Sequence, residues 1–525
     1  MFKQVKRTYH PFLIAIYPIL NLLDTNIGQV TWTAAIRPII SVLIFTSILL
    51  IVLSFLTSSW ERAGILTSIF LILFFSYGHI YSLTEGSRVF GIIIGRHRYL
   101  ILLWLGLLGL GVYISYKNIP SLSRATSIMN VGAAALLLIP LLSLIVRGFV
   151  NRIEISRLPK SGNTSTGNIS ARNGTLPDIY YIILDQYPGN EVLEEKYGFD
   201  NSEFIYHLTE LGFYVADQSL TNYSQTELSL ASSLNFQYLS ELGVSEETFE
   251  NNRAPLWTLI KDNAARNYFE QMGYVIIAYE TGYSWSQWET ADFYLGPRSG
   301  FTESLNVKGS LTGFETLLIR KSALVLLEDL APFARGNLIP NIYGPGRGSY
   351  DRVTYTLESL TQVAEHENPV FVFAHILSPH PPNVFSPTGE FIGTDTLGSG
   401  SSFNDDQQGE EDAIGFIRSV QFVNNRIIEV IEEIQSFPGE PIIILQGDHG
   451  IPGSTRYHRM SILNAYYLPD GGEHLLYDSI SPVNTFRLIL KHYFNEDIEL
   501  IEDISLFSTS YDNPYQFKTV ETVKP

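Results

Sequence analysis

Four long apolar runs near the start of the chain constrain its fold more than any other feature. They are Ile39–Thr57, Gly64–Leu83, Tyr99–Tyr116 and Met129–Val150. A helix needs about 20 predominantly apolar residues to cross a bilayer, and each run approaches or reaches that length. A single run could be a buried helix of a soluble domain. Four in succession with so few charged residues predict a membrane-embedded helical domain over residues 1–150.

A shorter apolar run, Pro11–Leu23, precedes these four and contains Pro18. It is compatible with a fifth span or with an amphipathic helix on the membrane surface. With five spans and a cytoplasmic N-terminus, which Lys3, Lys6 and Arg7 favour, the chain after Val150 lies outside. The basic loop around residues 88–98 would then also lie outside, against the positive-inside tendency. With four spans, both that loop and the rest of the chain would lie inside, so the charges leave both topologies open.

The remainder of the chain has a different composition. The 525-residue chain has a net charge of −19 and no Cys, and its acidic excess lies after residue 150. The charge argues against nucleic acid as a partner, and the absence of Cys excludes disulfides and thiol chemistry. Residues 151–176 are rich in Gly, Ser, Thr and Asn without apolar periodicity, which predicts a polar linker. Residues 177–525 are then the catalytic or binding domain.

Short runs of branched apolar residues in this second part predict buried strands. The clearest are Asp178–Leu184, Pro369–Ala374 and Pro441–Gln446, each bounded by residues typical of turns. They alternate with helical patterns such as Ser202–Phe213 and Asp412–Phe437. This alternation predicts an α/β domain with a largely parallel central sheet that contains the three strands.

Polar side chains follow two of these strands at the point where each strand ends. Asp185 comes directly after the first strand, and Asp448 and His449 follow the third. The carboxyl ends of parallel strands meet at one edge of a sheet, so we expect these side chains to lie together. Carboxylates and an imidazole suit a divalent metal ion. The ordinary alternatives are a turn or helix N-cap for Asp185 and a surface turn for Asp-His-Gly.

Two further positions complete a candidate site. His380 lies among prolines in SPHPP, whose restricted backbone suits a residue that meets a substrate oxygen at a fixed place. A rigid loop histidine is the alternative, and His375 is interpreted as a structural core residue. Thr226, at the start of a predicted helix in NYSQTELSLASSLN, is the candidate nucleophile, because a helix N-terminus favours an anion. The alternative is an N-cap threonine.

The order of these motifs resembles the alkaline phosphatase and sulfatase superfamily: a strand ending at Asp185, Thr226 before a helix, SPHPP and then GDHG. Apolar spans and a polar linker before such a domain further resemble the lipoteichoic acid synthases and the lipid A phosphoethanolamine transferases. The segments FVFAHILSPHPPNVF, MSILNAYYLP and SPVNTFRLILKHYF are similar to membrane-bound sulfatase-like hydrolases and transferases of bacteria. The resemblance extends from Pro177 to about Ser508.

The resemblance also implies roles for single residues. It implies one divalent metal ion, Zn²⁺ or Mn²⁺, bound by Asp185, Thr226, Asp448 and His449. It implies that Thr226 is the covalent nucleophile and that His380 contacts the substrate. His458 and Arg459, shortly after the GDHG segment, could add a metal or anion contact.

The chain also departs from parts of the superfamily. Formylglycine sulfatases need Cys or Ser in a C/S-x-P-x-R motif, and the Thr226 segment has neither that Pro nor that Arg. They usually have paired aspartates where this chain has Asp185-Gln186, which disfavours sulfate ester hydrolysis. The second-metal element Asp-x-x-x-His of two-metal phosphatases is not visible near residues 375–380, which favours a single metal ion.

These observations favour a membrane-bound, metal-dependent phosphoryl-group transferase or phosphodiesterase that works through a covalent phosphothreonine. The expected substrate is a membrane lipid or a lipid-linked glycan. The resemblance implies a multi-pass protein of the inner or plasma membrane whose catalytic domain faces away from the cytoplasm. The alternatives are a sulfuric ester hydrolase of the same superfamily and an inactive protein that binds envelope glycan or lipid.

Overall fold

The computed structural model of the chain describes residues 8–26, 32–84, 88–89, 92–93, 96–117, 121–155, 176–297, 313–326, 346–392, 410–452 and 455–520. The chain divides into two units. One unit comprises Met1–Val150 and Ser310–Gly344, and the other comprises Asn151–Gly309 and Pro345–Pro525. The assignment of Ser310–Gly344 to the first unit is a feature that the sequence pattern did not indicate.

Apolar helices build the first unit. They are α1 (His10–Thr25), α2 (Ile36–Thr57), α3 (Trp60–Thr84), α4 (His97–Lys117) and α5 (Leu122–Ile155). In the described part of the chain, four helical segments are long and apolar enough to cross a membrane: Trp32–Thr57, Trp60–Thr84, His97–Lys117 and Leu122–Phe149. The predicted N-terminal membrane-helix domain is therefore confirmed. Two short antiparallel strands, β1 (Arg88–Val89) and β2 (Ile92–Ile93), lie between α3 and α4.

The last helix of this set extends beyond the predicted span. α5 ends at Ile155, so residues 151–155 of the predicted linker are helical. The rest of that linker, residues 156–175, lies outside the described residues.

A helix from the later part of the chain, Gly313–Arg320, packs within the first unit. Its Phe314 is buried with apolar side chains of α1, α2 and α3, and its Glu315 forms an ion pair with Arg37. Gly78 of α3 permits a close approach, because a Cβ atom there would lie 2.1 Å from the carbonyl oxygen of Arg320. This packing explains why the segment belongs with the membrane helices.

A seven-stranded sheet forms the centre of the second unit. Its strands are β3 (Ile179–Leu184), β4 (Tyr214–Val215), β5 (Val275–Tyr279), β6 (Phe293–Leu295), β7 (Val370–Ile376), β8 (Ile442–Gly447) and β9 (Asn464–Tyr467). The spatial order is β4-β9-β8-β3-β7-β5-β6. The strands from β8 to β6 are parallel, and β9 is antiparallel to both β8 and β4. The predicted largely parallel sheet is confirmed, with the three predicted strands adjacent at its centre.

Helices flank this sheet. They are α6 (Asn190–Tyr197), α7 (Ser202–Glu210), α8 (Thr226–Ser233), α9 (Glu246–Phe249), α10 (Ala254–Lys261), α11 (Ala264–Gln271), α12 (Arg347–Val363), α13 (Glu410–Ser436), α14 (Arg456–Met460) and α15 (Pro482–Phe494). An antiparallel pair, β10 (Ser505–Ser508) and β11 (Phe517–Val520), lies near the C-terminus.

The central strand β3 is buried on both faces, which explains its uninterrupted apolar sequence. Ile179, Tyr181 and Ile183 pack into one hydrophobic cluster, and the alternate residues of the strand pack into another. Successive side chains of a strand point to opposite faces, so a strand covered on both sides needs apolar residues at every position. The chain becomes polar at Asp185, where β3 leaves the core.

Candidate metal centre

The two predicted carboxylates lie at the same edge of the sheet. β3 and β8 are parallel neighbours with Leu184 opposite Gly447, so Asp185 and Asp448 leave the sheet side by side. Gln186 turns the chain with a positive φ of 65°. Its N–H donates to Oδ1 of Asp448 at 2.9 Å, which joins the two strand ends directly.

Close packing requires both glycines of the GDHG segment. A Cβ atom on Gly447 would lie 2.3 Å from the carbonyl oxygen of Tyr187. A Cβ atom on Gly450 would lie 2.1 Å from the carbonyl oxygen of His458. A larger residue at either position would push the strand end away from its neighbours. The local pattern Gly-Asp-His-Gly therefore has a packing cause as well as a chemical one.

Asp185, Asp448 and His449 form a buried group in which one ligand-type atom from each lies within 4.8 Å of the others. Nε2 of His449 is 3.5 Å from Oδ2 of Asp448 and 3.9 Å from Oδ1 of Asp185. Those two carboxylate oxygens accept no hydrogen bond from any residue that the structure describes. A buried polar atom without a protein partner is costly unless water, an ion or another group satisfies it.

The charges of this group point to a cation. Burial, and then the negative charge of Asp185, raise the pKa of Asp448 to about 7. Burial would also raise the pKa of Asp185, but the neighbouring His380 and His375 outweigh it and hold that pKa below its usual range. Two adjacent buried carboxylates are both ionised only when positive charge joins them. Two carboxylate oxygens and one imidazole nitrogen are a suitable ligand set for a divalent ion, so the residues fit a metal.

His449 has the tautomer that a metal ligand needs. Its Nδ1 lies 2.8 Å from the carbonyl oxygen of Gly450, which can only accept, so Nδ1 carries the proton and Nε2 the lone pair. Burial, and then the positive charge of Arg459, lower the pKa of His449 well below its usual value. The ring is therefore neutral at neutral pH. Oγ1 of Thr226 lies 3.0 Å from Nε2.

Thr226 is the first residue of α8, and Gln225 is the N-cap. Gln225 has an extended backbone (φ −134°, ψ 142°), so the helix begins abruptly at the candidate nucleophile. The first N–H groups of a helix have no partner within the helix and favour an anion. Thr226 therefore lies next to both the carboxylate–imidazole group and a set of backbone donors, and it is not the capping residue.

His375, which we interpreted from the sequence as a core histidine, lies beside the same group. Its Nε2 is 3.5 Å from Oδ2 of Asp185, and its ring lies 6.2 Å from that of Trp285. Neither ring nitrogen has a well-formed hydrogen bond to a described residue. The available signal was a polar residue at the penultimate position of an otherwise apolar buried strand, β7.

His380 and Arg459 lie around the group. The N–H of His380 donates to the carbonyl oxygen of Asp185 at 3.1 Å, and its Nδ1 lies 2.6 Å from the carbonyl oxygen of Pro381. Nη2 of Arg459 is 3.3 Å from Nε2 of His449. The structure thus brings the SPHPP segment against the end of β3 and a guanidinium against the imidazole.

His458 has a different neighbour. It lies on α14, and its Nε2 is 3.3 Å from Oε2 of Glu195. It is not one of the three residues whose ligand-type atoms lie together in the described part of the chain. Its side chain therefore pairs with a carboxylate from α6.

No protein-family profile and no curated protein sequence matches the chain. Among solved structures, it is similar to the C-terminal periplasmic domain of EptC from Escherichia coli in complex with Zn (12% identity, 68% of this chain and 95% of that chain, TM-score 0.42). It is also similar to the integral membrane lipooligosaccharide phosphoethanolamine transferase A from Neisseria meningitidis (11% identity, 94% of this chain and 95% of that chain, TM-score 0.40). A third is the phosphonate monoester hydrolase of Agrobacterium radiobacter (13% identity, 63% of this chain and 80% of that chain, TM-score 0.36). These TM-scores are low, and the proposals below rest on the residues of this chain.

Proposed function

We propose that this chain is a membrane-bound, metal-dependent enzyme that transfers a phosphoryl-containing group, or hydrolyses a phosphodiester, through a covalent bond to Thr226. One observation carries the proposal. One oxygen each of Asp185 and Asp448, without a hydrogen-bond partner among the described residues, lies with Nε2 of His449, and the Thr226 hydroxyl is 3.0 Å from that nitrogen. A hydroxyl beside a cation site and at a helix N-terminus is suited to attack on phosphorus.

Asp185, Asp448 and His449 would hold the ion, with the Thr226 oxygen as a fourth ligand. Four nitrogen and oxygen ligands suit Zn²⁺, and the two carboxylates are also acceptable to Mn²⁺. When bound, the ion would supply the positive charge that lowers the pKa of the Thr226 hydroxyl and attracts the phosphoryl oxygens.

The residues of the chain supply the remaining chemistry. Oγ1 of Thr226 loses its proton and forms a bond to phosphorus, while the bond to the leaving oxygen breaks; that oxygen takes the electron pair and, through solvent, one proton in place of the one that Thr226 releases. The N–H groups of the first turn of α8 stabilise the phosphoryl oxygens. A second oxygen, from a sugar hydroxyl or water, then loses its proton and bonds to phosphorus, while the bond from phosphorus to Oγ1 breaks and Oγ1 takes the electron pair and a proton. His380, whose Nδ1 is bound to the Pro381 carbonyl, keeps Nε2 for a substrate oxygen.

We further propose that α1 crosses the membrane, giving five spans and a domain on the side opposite the N-terminus. Near its start, the N–H of His10 donates to Oδ1 of Asn130 at 2.9 Å. Near its end, Asp24 accepts from Oγ of Ser143 at 2.6 Å. Asn130 and Ser143 are separated by about 20 Å along α5 at 1.5 Å per residue, so α1 runs along α5 over most of a bilayer.

Five spans would leave the linker outside and the basic N-terminus inside, which suits the positive-inside tendency, whereas the basic loop around residues 88–98 would then lie outside, against it. Protease added to intact cells is then expected to cut between Ser161 and Thr175. Protection of that linker until the cells are lysed would contradict the outward placement. A catalytic domain tied to the membrane fits a membrane lipid or lipid-linked glycan as substrate.

Turnover of a generic aryl phosphodiester by the purified full-length chain tests the activity. We expect turnover that is lost with a chelator, restored by Zn²⁺ or Mn²⁺, and abolished in Thr226→Ala. Ser229→Ala is the matched control, because Ser229 lies on the same helix and its hydroxyl is 3.1 Å from that of Thr221. A metal-loaded wild type that binds phosphodiesters without turnover would instead support a binding protein.

A further inference from the structure

One side chain holds the N-terminus of α8 on both sides of Thr226. Arg253, the residue before α10, donates from Nη2 to Oε1 of Gln225 at 2.5 Å. It donates from Nη1 to Oε2 of Glu227 at 3.1 Å. A single guanidinium therefore binds the residues immediately before and immediately after the candidate nucleophile.

The C-terminal segment fixes the same guanidinium. Nη2 of Arg253 also donates to the carbonyl oxygen of Tyr511 at 2.7 Å, and the Tyr511 ring centroid lies 4.0 Å from the guanidinium carbon. Nε2 of Gln225 donates to the carbonyl oxygen of Ser510 at 3.2 Å. Tyr511 thus holds the Arg253 guanidinium, and Ser510 holds its partner Gln225.

The Arg253 side chain is almost completely buried, and its terminal nitrogens donate to protein groups. Its side chain is 4% exposed and that of Glu227 is 5% exposed. A buried ion pair adds little net stability, because the cost of removing both charges from water offsets their attraction. A planar guanidinium with several directional donors does, however, restrict how the groups that it binds can rotate.

We propose that Arg253 is a positioning residue for Thr226, which holds the first turn of α8 so that the Thr226 hydroxyl faces Nε2 of His449. This inference rests on the proposed function, because it assigns Arg253 a role in the reaction of Thr226. The contacts on both flanks fix the direction of the backbone at Thr226, whose hydroxyl oxygen lies 3.0 Å from Nε2 of His449.

The test is Arg253→Lys in the full-length chain. Lysine keeps a positive charge near Glu227, but a single ammonium lacks the planar fork that reaches both flanks. We expect kcat to fall roughly 10- to 100-fold, since small misplacements of a reacting group cost this much. We expect KM to change less than about twofold and bound metal to stay at the wild-type level, because neither the binding groups nor the ligands change.

Arg266→Lys is the matched control. Arg266 is also buried, pairs with Glu270 at 2.7 Å, donates to the carbonyl oxygen of Thr290 at 2.9 Å and lies 5.6 Å from the Trp288 ring. The same substitution in a similar setting is expected to lower the melting temperature without lowering kcat by more than about twofold. Wild-type kcat in Arg253→Lys, or an equal loss in Arg266→Lys, would overturn the inference.

Gln225→Ala provides a second variant, which removes one partner of Arg253 without leaving a buried charge. We expect kcat to fall about three- to tenfold with bound metal unchanged. Wild-type kcat in this variant would count against the positioning role even if Arg253→Lys did not fold.

The γ-methyl NMR resonance of Thr226, in full-length protein in nanodiscs, separates this inference from the proposed function. We expect one position in the wild type and in Arg266→Lys, and a shifted or split resonance in Arg253→Lys. An unchanged resonance in Arg253→Lys overturns the positioning role, whether or not the protein turns over a phosphodiester. A wild type without turnover overturns the proposed function alone.

Discussion

Two acidic side chains of the second unit, Asp503 and Asp448, have opposite surroundings. Asp503 accepts hydrogen bonds at 2.5–2.9 Å from the N–H and hydroxyl of Ser481, the amide of Asn484 and the hydroxyl of Tyr477. Oδ2 of Asp448 is buried and accepts none among the described residues. The first carboxylate is paired within the fold, whereas the second has an oxygen that is available to the proposed metal ion.

This contrast distinguishes a structural polar network from a functional one. Polar groups that stabilise a fold are paired, because an unpaired buried polar group is costly. A site that binds a metal must leave its ligand atoms unpaired in the metal-free chain. Burial of Asp185 and Asp448 therefore lowers the stability of the metal-free fold, and paired networks such as that of Asp503 offset this loss.

The largest expected effect separates chemistry from stability. Thr226→Ala should lower turnover of an aryl phosphodiester by at least about 10³-fold, because the covalent nucleophile is lost. The melting temperature should stay within about 2 °C of the wild type, since only one partly buried side chain is shortened. Parallel kinetic and thermal measurements check this. Wild-type turnover in Thr226→Ala would show that another hydroxyl is the nucleophile. Ser224 and Ser229 would then be the next candidates.

Removing each of the two carboxylates in turn should have different effects on stability and on bound metal. Asp503→Ala leaves several donors unpaired and should destabilise the fold by about 3 kcal/mol, while bound metal per folded molecule stays unchanged. Asp448→Ala should empty the metal site and cost the metal-free protein little or no stability. Metal analysis and thermal unfolding of both variants give the comparison. Retention of both metal and activity in Asp448→Ala would remove the basis of the site.

A smaller effect is expected at His375, which adjoins the site without belonging to the grouped ligands. His375→Gln removes the imidazole 3.5 Å from Asp185 and should weaken metal affinity about 10- to 100-fold, as loss of a residue that supports a ligand does. Competition with a fluorescent chelator measures this affinity. Complete loss of metal would instead identify His375 as a ligand, and an unchanged metal affinity would show that it is only a core residue.

The smallest effect is a pH dependence of the metal-free protein. Asp448 ionises near pKa 3.8 when unfolded and near 7 when folded, so its contribution to stability is lost as pH rises from about 4 to 7. Because folding lowers the pKa of His449, this residue makes the protein less stable as pH falls below 6.5. The effect is present in the wild type and in Asp448→Asn alike, so it cancels from the difference between them. The melting temperature of Asp448→Asn should therefore gain about 2–4 °C on the wild type between pH 4 and pH 7. A constant difference across this range would show that burial of Asp448 carries no cost.

The central sheet and the strand-end residues could be predicted because local sequence determines them. β3, β7 and β8 are buried on both faces and are therefore mostly apolar, so the polar residues Asp185 and Asp448 stand out directly after β3 and β8. His375 is also a polar residue near the end of an apolar strand, but a single histidine inside a buried strand does not reveal which side chain it will face.

Contacts between distant segments could not be predicted. The ion pair of Arg253 with Glu227 joins two helices and has no local pattern, and the contact of Arg253 with Tyr511 joins residues still further apart. The return of Gly313–Arg320 to the membrane helices depends on space at Gly78 and on the partner Arg37. Such pairings become visible only when the chain is folded.

Intact mass spectrometry of the full-length chain tests the central claim most directly. After exposure of metal-loaded protein to a membrane lipid extract and rapid acid quenching, we predict a mass increase that peptide mapping locates on Thr226. The increase should be absent in Thr226→Ala and in chelator-treated protein, and present in Ser229→Ala. An active wild type with no adduct under any quenching condition, or an adduct that persists in Thr226→Ala, would contradict the account.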